Sequence, residues 1–352
     1  MISYNNNILK INNKWLRGID FNPLKLPPHT LRIKVQQGYD PTTSSKYVHD
    51  ALTLVDAEQN IWDITVHYYY SLDMPNVRSW ANLFKDDIRL IAVLGANSSD
   101  VYDIRNMFSA CTKLESVVLF DTSNITTMDS LFAACISLTS VPLLDTSKVT
   151  NMHNMLNGCR SLTSLPFFDT SSCTNMEGML SGCTGLTTIP LFDTSNVTNM
   201  HGTFNSCYSL TSLPLLNTSS CTTMNNMFYG CSSLTSIPLL DTSNVTDMAT
   251  MFKRSGITAM PTFDTSNVTD MTSMFEECSS LTNITLLNTS KVTSMKGTFY
   301  KCRNVESGLL AWYQQASSQT TPPAIHNYTF GLCGYDTTTG RAELDQIPDD
   351  WK

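Results

Sequence analysis

Charge is scarce in this chain. Lys, Arg, Asp and Glu make up 15% of the 352 residues, and 22 basic against 30 acidic side chains leave a net charge of −8. Binding nucleic acid needs clustered Lys and Arg, so no nucleic-acid partner is expected. No apolar run approaches the ~18 residues of a membrane span, so no membrane insertion is expected either. Residues 1–20 carry Lys10, Lys14 and Arg17 but neither an apolar h-region nor a small-residue cleavage site, and do not read as a secretory signal. That leaves a cytosolic protein, a mature chain stripped of its signal, or a component of a particle such as a virus released by lysis. The paired ligands of a zinc site, as in C-x-x-C, are missing from the regular cysteines, and an odd total of 11 rules out complete intramolecular pairing. With charge so sparse, the polar surface must come from Ser, Thr and Asn. Such a surface suits hydrogen bonds to sugars or protein backbones.

Repetition is what the chain has in abundance. Cys111, Cys135, Cys159, Cys183, Cys207 and Cys231 stand 24 residues apart, and Cys278 and Cys302 resume the series after one slip. At the slip the interval is one residue short and Ser255 stands where a cysteine is due. Met128, Met152, Met176 and their successors run in parallel, as do Phe108, Phe132, Leu156, Leu180, Phe204 and Phe228. A fixed period in this range marks a solenoid, in which each copy is one coil packed on its neighbours. Trp80 and Phe84 mark a degenerate first coil, as the open end of a stack requires.

Within a coil, Leu138-Thr139-Ser140-Val141-Pro142-Leu143 fits L-x-x-L-x-L, the strand pattern of leucine-rich repeats. Alternation turns Val141 and Leu143 inward and Leu144 outward. Asp145-Thr146-Ser147 closes a turn with short polar side chains. Met155, Leu156 and Cys159 have the spacing of a short helical turn on the far side. Pro142, Pro166, Pro190, Pro214, Pro238 and Pro261 recur inside the strand, where each removes a ladder hydrogen bond. Strands of about three or four residues ending at proline are therefore expected.

The ends depart from the repeat. Residues 1–76 read as a β-rich cap with strands at Leu31-Arg32-Ile33-Lys34-Val35 and Asn60-Ile61-Trp62-Asp63-Ile64-Thr65-Val66. Residues 1–25 fit equally an arm docked on a partner. The repeat region spans residues 77–306. Residues 307–352 form an irregular C-terminal cap, opening with a helix at Leu309-Leu310-Ala311-Trp312-Tyr313 and sealed by Phe330, Leu332, Cys333, Leu344, Ile347 and Trp351.

The units Asp193-Thr194-Ser195-Asn196-Val197-Thr198-Asn199-Met200 and Met227-Phe228-Tyr229-Gly230-Cys231-Ser232-Ser233-Leu234-Thr235-Ser236-Ile237-Pro238 resemble the BspA-type leucine-rich-repeat surface proteins of gut bacteria, mycoplasmas and phages of gut bacteria. The resemblance covers residues 77–306. It implies binding and adhesion and carries no catalytic residues or cofactors. The fold expected is thus a leucine-rich-repeat-like solenoid of short parallel strands and helical turns. The function expected is a non-enzymatic binding or structural protein on a virion surface, with a bacterial cell-surface adhesin as the alternative. Its partners would be other virion proteins or a host cell-surface protein or glycan, with self-association compatible.

Each periodic column carries a structural reading. One Cys and one Met per coil at fixed phase read as core filling, with free thiols in a ladder. His153, Glu177 and His201 share a surface column, and Asp121, Asp145, Asp169, Asp193, Asp241 and Asp264 form a turn-capping ladder interrupted by Asn217 and Asn288. Tyr208, Tyr229, Arg160, Lys253, Arg254 and Arg303 offer interface-prone side chains. The column that points to a partner is Phe120, Leu144, Phe168, Phe192, Leu216, Leu240, Phe263 and Leu287. If the strand phase holds through proline, these side chains form an exposed apolar stripe. If the phase slips there, they are core.

Overall fold

Every buried N–H and C=O in a coil needs a partner, and proline withholds one donor from the segment expected to be a strand. The computed structural model describes residues 3–5, 8–11, 14–17, 30–36, 67–73, and 78–352 other than 97 and 119. Successive 24-residue units lie side by side in the same direction. Single parallel bridges join Thr127 to Asn151, Asn151 to Asn175, Asn175 to Asn199 and onward to Ser294 and Ile325. At this column, Thr150 N–H donates back to Thr126 O at 2.9 Å, while Met152 N–H donates forward to Asn175 O at 2.9 Å.

The expected strand at the L-x-x-L-x-L segment is mostly absent. Among the described residues it forms as a pair of strands only at the start, where β6 (Leu90–Ala96) runs parallel to β7 (Ser116–Val117). Beyond it, neighbouring coils exchange backbone bonds such as Thr211 N–H to Thr187 O at 3.0 Å, without an assigned strand. In the coils that carry it, proline withholds a donor from the ladder, and single parallel bridges return in this segment, Ala259 to Asn283 and Asn283 to Ser307, around the coil that has Thr285 in its place.

The far side holds a second departure. In place of a helical turn, each coil strings together tight turns with two left-handed residues four apart. Ser130 and Ala134 have φ of 53° and 59°, and the same two places recur as Asn154 and Gly158, then Gly178 and Gly182. The left-handed conformation costs a non-glycine residue about 1–2 kcal/mol. Inter-coil bonding offsets it: wherever another coil follows, the second left-handed residue aims its N–H at it, as in Ala134 N–H to Asn157 O at 2.6 Å. Ala134→Gly is expected to raise stability by about 0.5–1 kcal/mol, the relieved strain less glycine's entropy cost, as read by chemical denaturation.

The core fills the space between these two sides. Phe84, Phe108 and Phe132 stack with ring centroids 5.3–5.8 Å apart, and Phe204 through Phe299 continue the column after Leu156 and Leu180. Every thiol of the regular series donates to the carbonyl of that column one coil back, as Cys159 Sγ does to Phe132 O at 3.1 Å and Cys302 Sγ to Phe275 O at 2.9 Å. Buried threonines knit the next layer. Thr170 Oγ1 donates to Asp193 O and Thr218 Oγ1 to Asp241 O, each at 2.8 Å.

At the short coil, Gly256 takes up the missing residue. A Cβ there would stand 2.1 Å from Ser232 O and 2.9 Å from its carbonyl carbon, both backbone atoms that cannot swing aside. Gly256→Ala is expected to cost about 1–3 kcal/mol, the range of forced overpacking, in the same denaturation assay.

At the N-terminal end, β4 (Thr30–Gln36) forms at the expected place. It pairs antiparallel with β6 on one side and with β5 (His67–Asp73) on the other, in the order β5-β4-β6-β7. The strand expected at residues 60–66 lies outside the described residues. β1 (Ser3–Asn5), β2 (Ile8–Ile11) and β3 (Lys14–Arg17) form a separate antiparallel meander. At the other end, α1 (Leu309–Ser317) starts at the helix expected there, with Leu309, Trp312 and Ala316 buried. Trp312 stands edge-on to Phe299 and donates its Nε1–H to Thr285 O at 2.8 Å.

One coil fragment was hidden in the tail. Thr329, Phe330 and Cys333 occupy the places of Thr298, Phe299 and Cys302, with Ile325 bridged to Ser294 and Phe330 stacked 5.9 Å beyond Phe299. The interval is 31 residues because α1 and the loop after it are inserted between the two. Thr-Phe-x-x-Cys at both places is the signal that a search at a fixed 24-residue spacing passes over. Trp351 closes this end, stacked on His326 at 4.3 Å.

Candidate functional site

Burial along each coil shows which side chains face solvent. Val141 and Leu144 are both buried, so Pro142 and Leu143 lie between two core residues and the alternation is broken there. The expected outward stripe is therefore corrected. Phe120, Leu144, Phe168, Phe192, Leu216, Leu240, Phe263 and Leu287 are all buried, none more than 8% exposed. The exposed stripe exists one residue earlier, as Leu143, Phe167, Leu191, Leu215 and Leu239, with Leu286 beyond a break at Thr262. These side chains are 54–71% exposed.

From Leu143 onward the alternation resumes: Leu144 is in, Asp145 is out and Thr146 is in. An acidic row thus runs beside the apolar one, two residues along each coil. Its carboxylates are fixed in place. Asp145 Oδ1 accepts from Ser147 Oγ at 2.7 Å and from Ser147 N–H at 3.1 Å, and Asp169 and Asp193 repeat the arrangement with Ser171 and Ser195. The serine hydroxyl bond, then the backbone bond, holds all three acids below the usual carboxylate range. They stay ionised at neutral pH although neighbours in the row repel one another. Both rows line one open groove of about 840 Å³, formed by Leu215, Leu239, Thr262, Asn217, Asp241 and Asp264 among others.

The other columns are tied into the stack. His153 Nδ1 is 3.1 Å from Asp129 Oδ1, and its Nε2 meets Asn154 Nδ2 at 2.9 Å and lies 3.7 Å from Glu177. Among the described residues no group of three His, Cys, Asp or Glu is placed to hold a metal ion. Arg254 bonds Glu277 at 2.6 Å and Tyr229 at 3.3 Å, and Lys253 pairs with Glu276, so these basic side chains brace neighbouring coils. Tyr208, Arg160 and Arg303 are exposed. All eleven cysteines are buried, and none is joined in a disulfide. No described helix is long and apolar enough to cross a membrane.

Comparison with known proteins agrees with the periodicity. The model of a family described as Mycoplasma protein of unknown function, DUF285, matches four times, over residues 73–188, 137–235, 164–258 and 211–312. No curated protein matches the chain. The overlapping matches cover more than half of the sequence, and this is therefore a repeat protein that belongs to the DUF285 family.

Proposed function

We propose that this chain is a non-enzymatic recognition or structural protein, a leucine-rich-repeat-like solenoid of the BspA type that is displayed on a phage particle. It would attach the particle to a host surface or bind a neighbouring virion protein. The observation that carries the binding role is the row from Leu143 to Leu239, five consecutive coils that each expose one large apolar side chain. Apolar side chains held in solvent in a continuous line mark a surface meant to be covered. The resemblance of the repeat units to surface proteins supports display. Peptide mass spectrometry of purified particles and of the host envelope fraction tests the placement. Stoichiometric peptides in intact particles are expected. Peptides confined to the cell envelope would overturn the virion placement in favour of a cell-surface adhesin.

A further inference from the structure

The paired rows define more than a sticky face. Leu143, Phe167 and Leu191 run along the stack beside Asp145, Asp169 and Asp193, and the two rows share the outward side of the same extended segments. We infer that this face docks a cationic amphipathic helix lying along the stack axis, its apolar stripe on the leucine row and its Lys or Arg stripe on the aspartate row. This rests on the binding role proposed above and names the partner's chemistry.

Three observations favour that occupant. The first is charge. The aspartates are exposed, ordered by their serine bonds, and set at the rim of an apolar row, in a chain of net charge −8. A second copy of the chain would bring its own aspartate row and like net charge to the contact, so self-docking through this face is disfavoured. The second is spacing. Hydrogen-bonded neighbouring segments lie about 4.8 Å apart, and an α-helix rises about 5.4 Å per turn. Across the four intervals from Leu143 to Leu239 the mismatch is about 2.4 Å, which side chains absorb. An extended strand repeats every ~6.7 Å and falls out of register by more than a full coil over the same length. The third is shape. At Thr262 the large side chain of the row gives way to a smaller one, and the open groove spanning Leu215, Leu239 and Thr262 has Asp241 and Asp264 in its lining. One helical turn per coil then places apolar anchors at i, i+4, i+7 and i+11 on successive row residues.

The probe is a labelled synthetic helix of about 18 residues, five turns, with Leu at those anchor positions and Lys along one flank. Its binding to the full chain is read by fluorescence anisotropy. Saturable binding is expected, weakened steeply in about 1 M salt, where the Debye length falls to about 3 Å. The combined Asp145→Asn, Asp169→Asn and Asp193→Asn variant is expected to bind about tenfold more weakly and to lose most of the salt dependence, at the modest worth of each exposed ion pair. Leu191→Asp should abolish binding with the fold retained by circular dichroism. A peptide with Glu in place of Lys should bind at least about tenfold more weakly. Equal binding by the Glu peptide, by a proline-broken peptide, or by the triple Asn variant would overturn the inference. So would a dimer of the chain that Leu191→Asp dissociates, since the occupant would then be a second copy. If the chain is stoichiometric in particles and Leu191→Asp detaches it, yet the triple Asn variant stays attached and the Lys peptide does not bind, the binding role stands and the cationic helix falls.

Discussion

Phe168→Asp is expected to unfold the stack, whereas Phe167→Asp, one residue earlier, is expected to leave it folded. Phe168 is fully buried and stacks on Phe192 with centroids 6.4 Å apart. Removing a buried Phe ring costs about 3–5 kcal/mol. An ionised carboxylate at the same place adds several kcal/mol more, or forces its own protonation. The sum rivals the ~5–15 kcal/mol total stability of an ordinary domain. Phe167 is 64% exposed and packs on the outside, so its replacement should change stability by no more than about 0.5 kcal/mol. Thermal unfolding of the two variants, followed by circular dichroism, separates them. A folded Phe168→Asp protein beside an unfolded Phe167→Asp protein would reverse the assignment of inside and outside.

Raising the pH is expected to unfold the chain abruptly above pH 9. Nine buried thiols, those of Cys135, Cys159, Cys173, Cys183, Cys207, Cys221, Cys231, Cys278 and Cys302, are pushed above the ordinary value of 9.0, in each case chiefly by burial. Cys173 and Cys221 rise to about 11 and Cys207 to about 12. Because the folded values lie above the unfolded one, the neutral thiols' contribution is complete below pH 9. It is lost as the pH climbs from there toward the folded values, since only the unfolded chain releases protons in that window. Each thiol withdraws about 1 kcal/mol between pH 9 and 10, where the unfolded thiols are still only partly ionised, and up to about 1.4 kcal/mol per unit beyond, so nine together withdraw on the order of 10 kcal/mol in the first unit. A pH titration under reducing conditions, monitored by circular dichroism, should show cooperative loss of structure between about pH 9 and 10.5, with native thiols unreactive to alkylation at about pH 8. A chain that stays folded to about pH 11 would contradict the buried ladder.

The period carried most of the architecture, because one residue type per coil at fixed phase has to stack. The Cys, Met and Phe columns were legible for that reason, and so was the helix beginning at Leu309. What escaped depended on backbone conformation, which side-chain identity specifies weakly. Counting alternately through Pro142 puts Leu143 inside, but the alternation breaks there and Leu144 is seated instead. The left-handed places hold Asn154 and Gly158 in one coil yet Ser273 and Glu277 in another, so no residue type announces them and they imitate the spacing of a helical turn. The coil fragment at Thr329, Phe330 and Cys333 was obscured by an insertion, although its motif is intact. The exposed apolar stripe therefore lies one residue before the column that alternation pointed to, and the fold alone decides which of the two adjacent columns is outside.

Hydroxyl-radical footprinting of the purified chain, alone and in the fraction where its peptides are found, tests the account at its centre. In the free chain, Leu143, Phe167, Leu191, Leu215 and Leu239 should oxidise readily while Leu144, Phe168, Phe192, Leu216 and Leu240 stay protected. In the assembled state the first set should become protected as well. Oxidation of the second set in the free chain, or a first set equally reactive in both states, would contradict the claim that each coil turns one apolar side chain outward for a partner to cover.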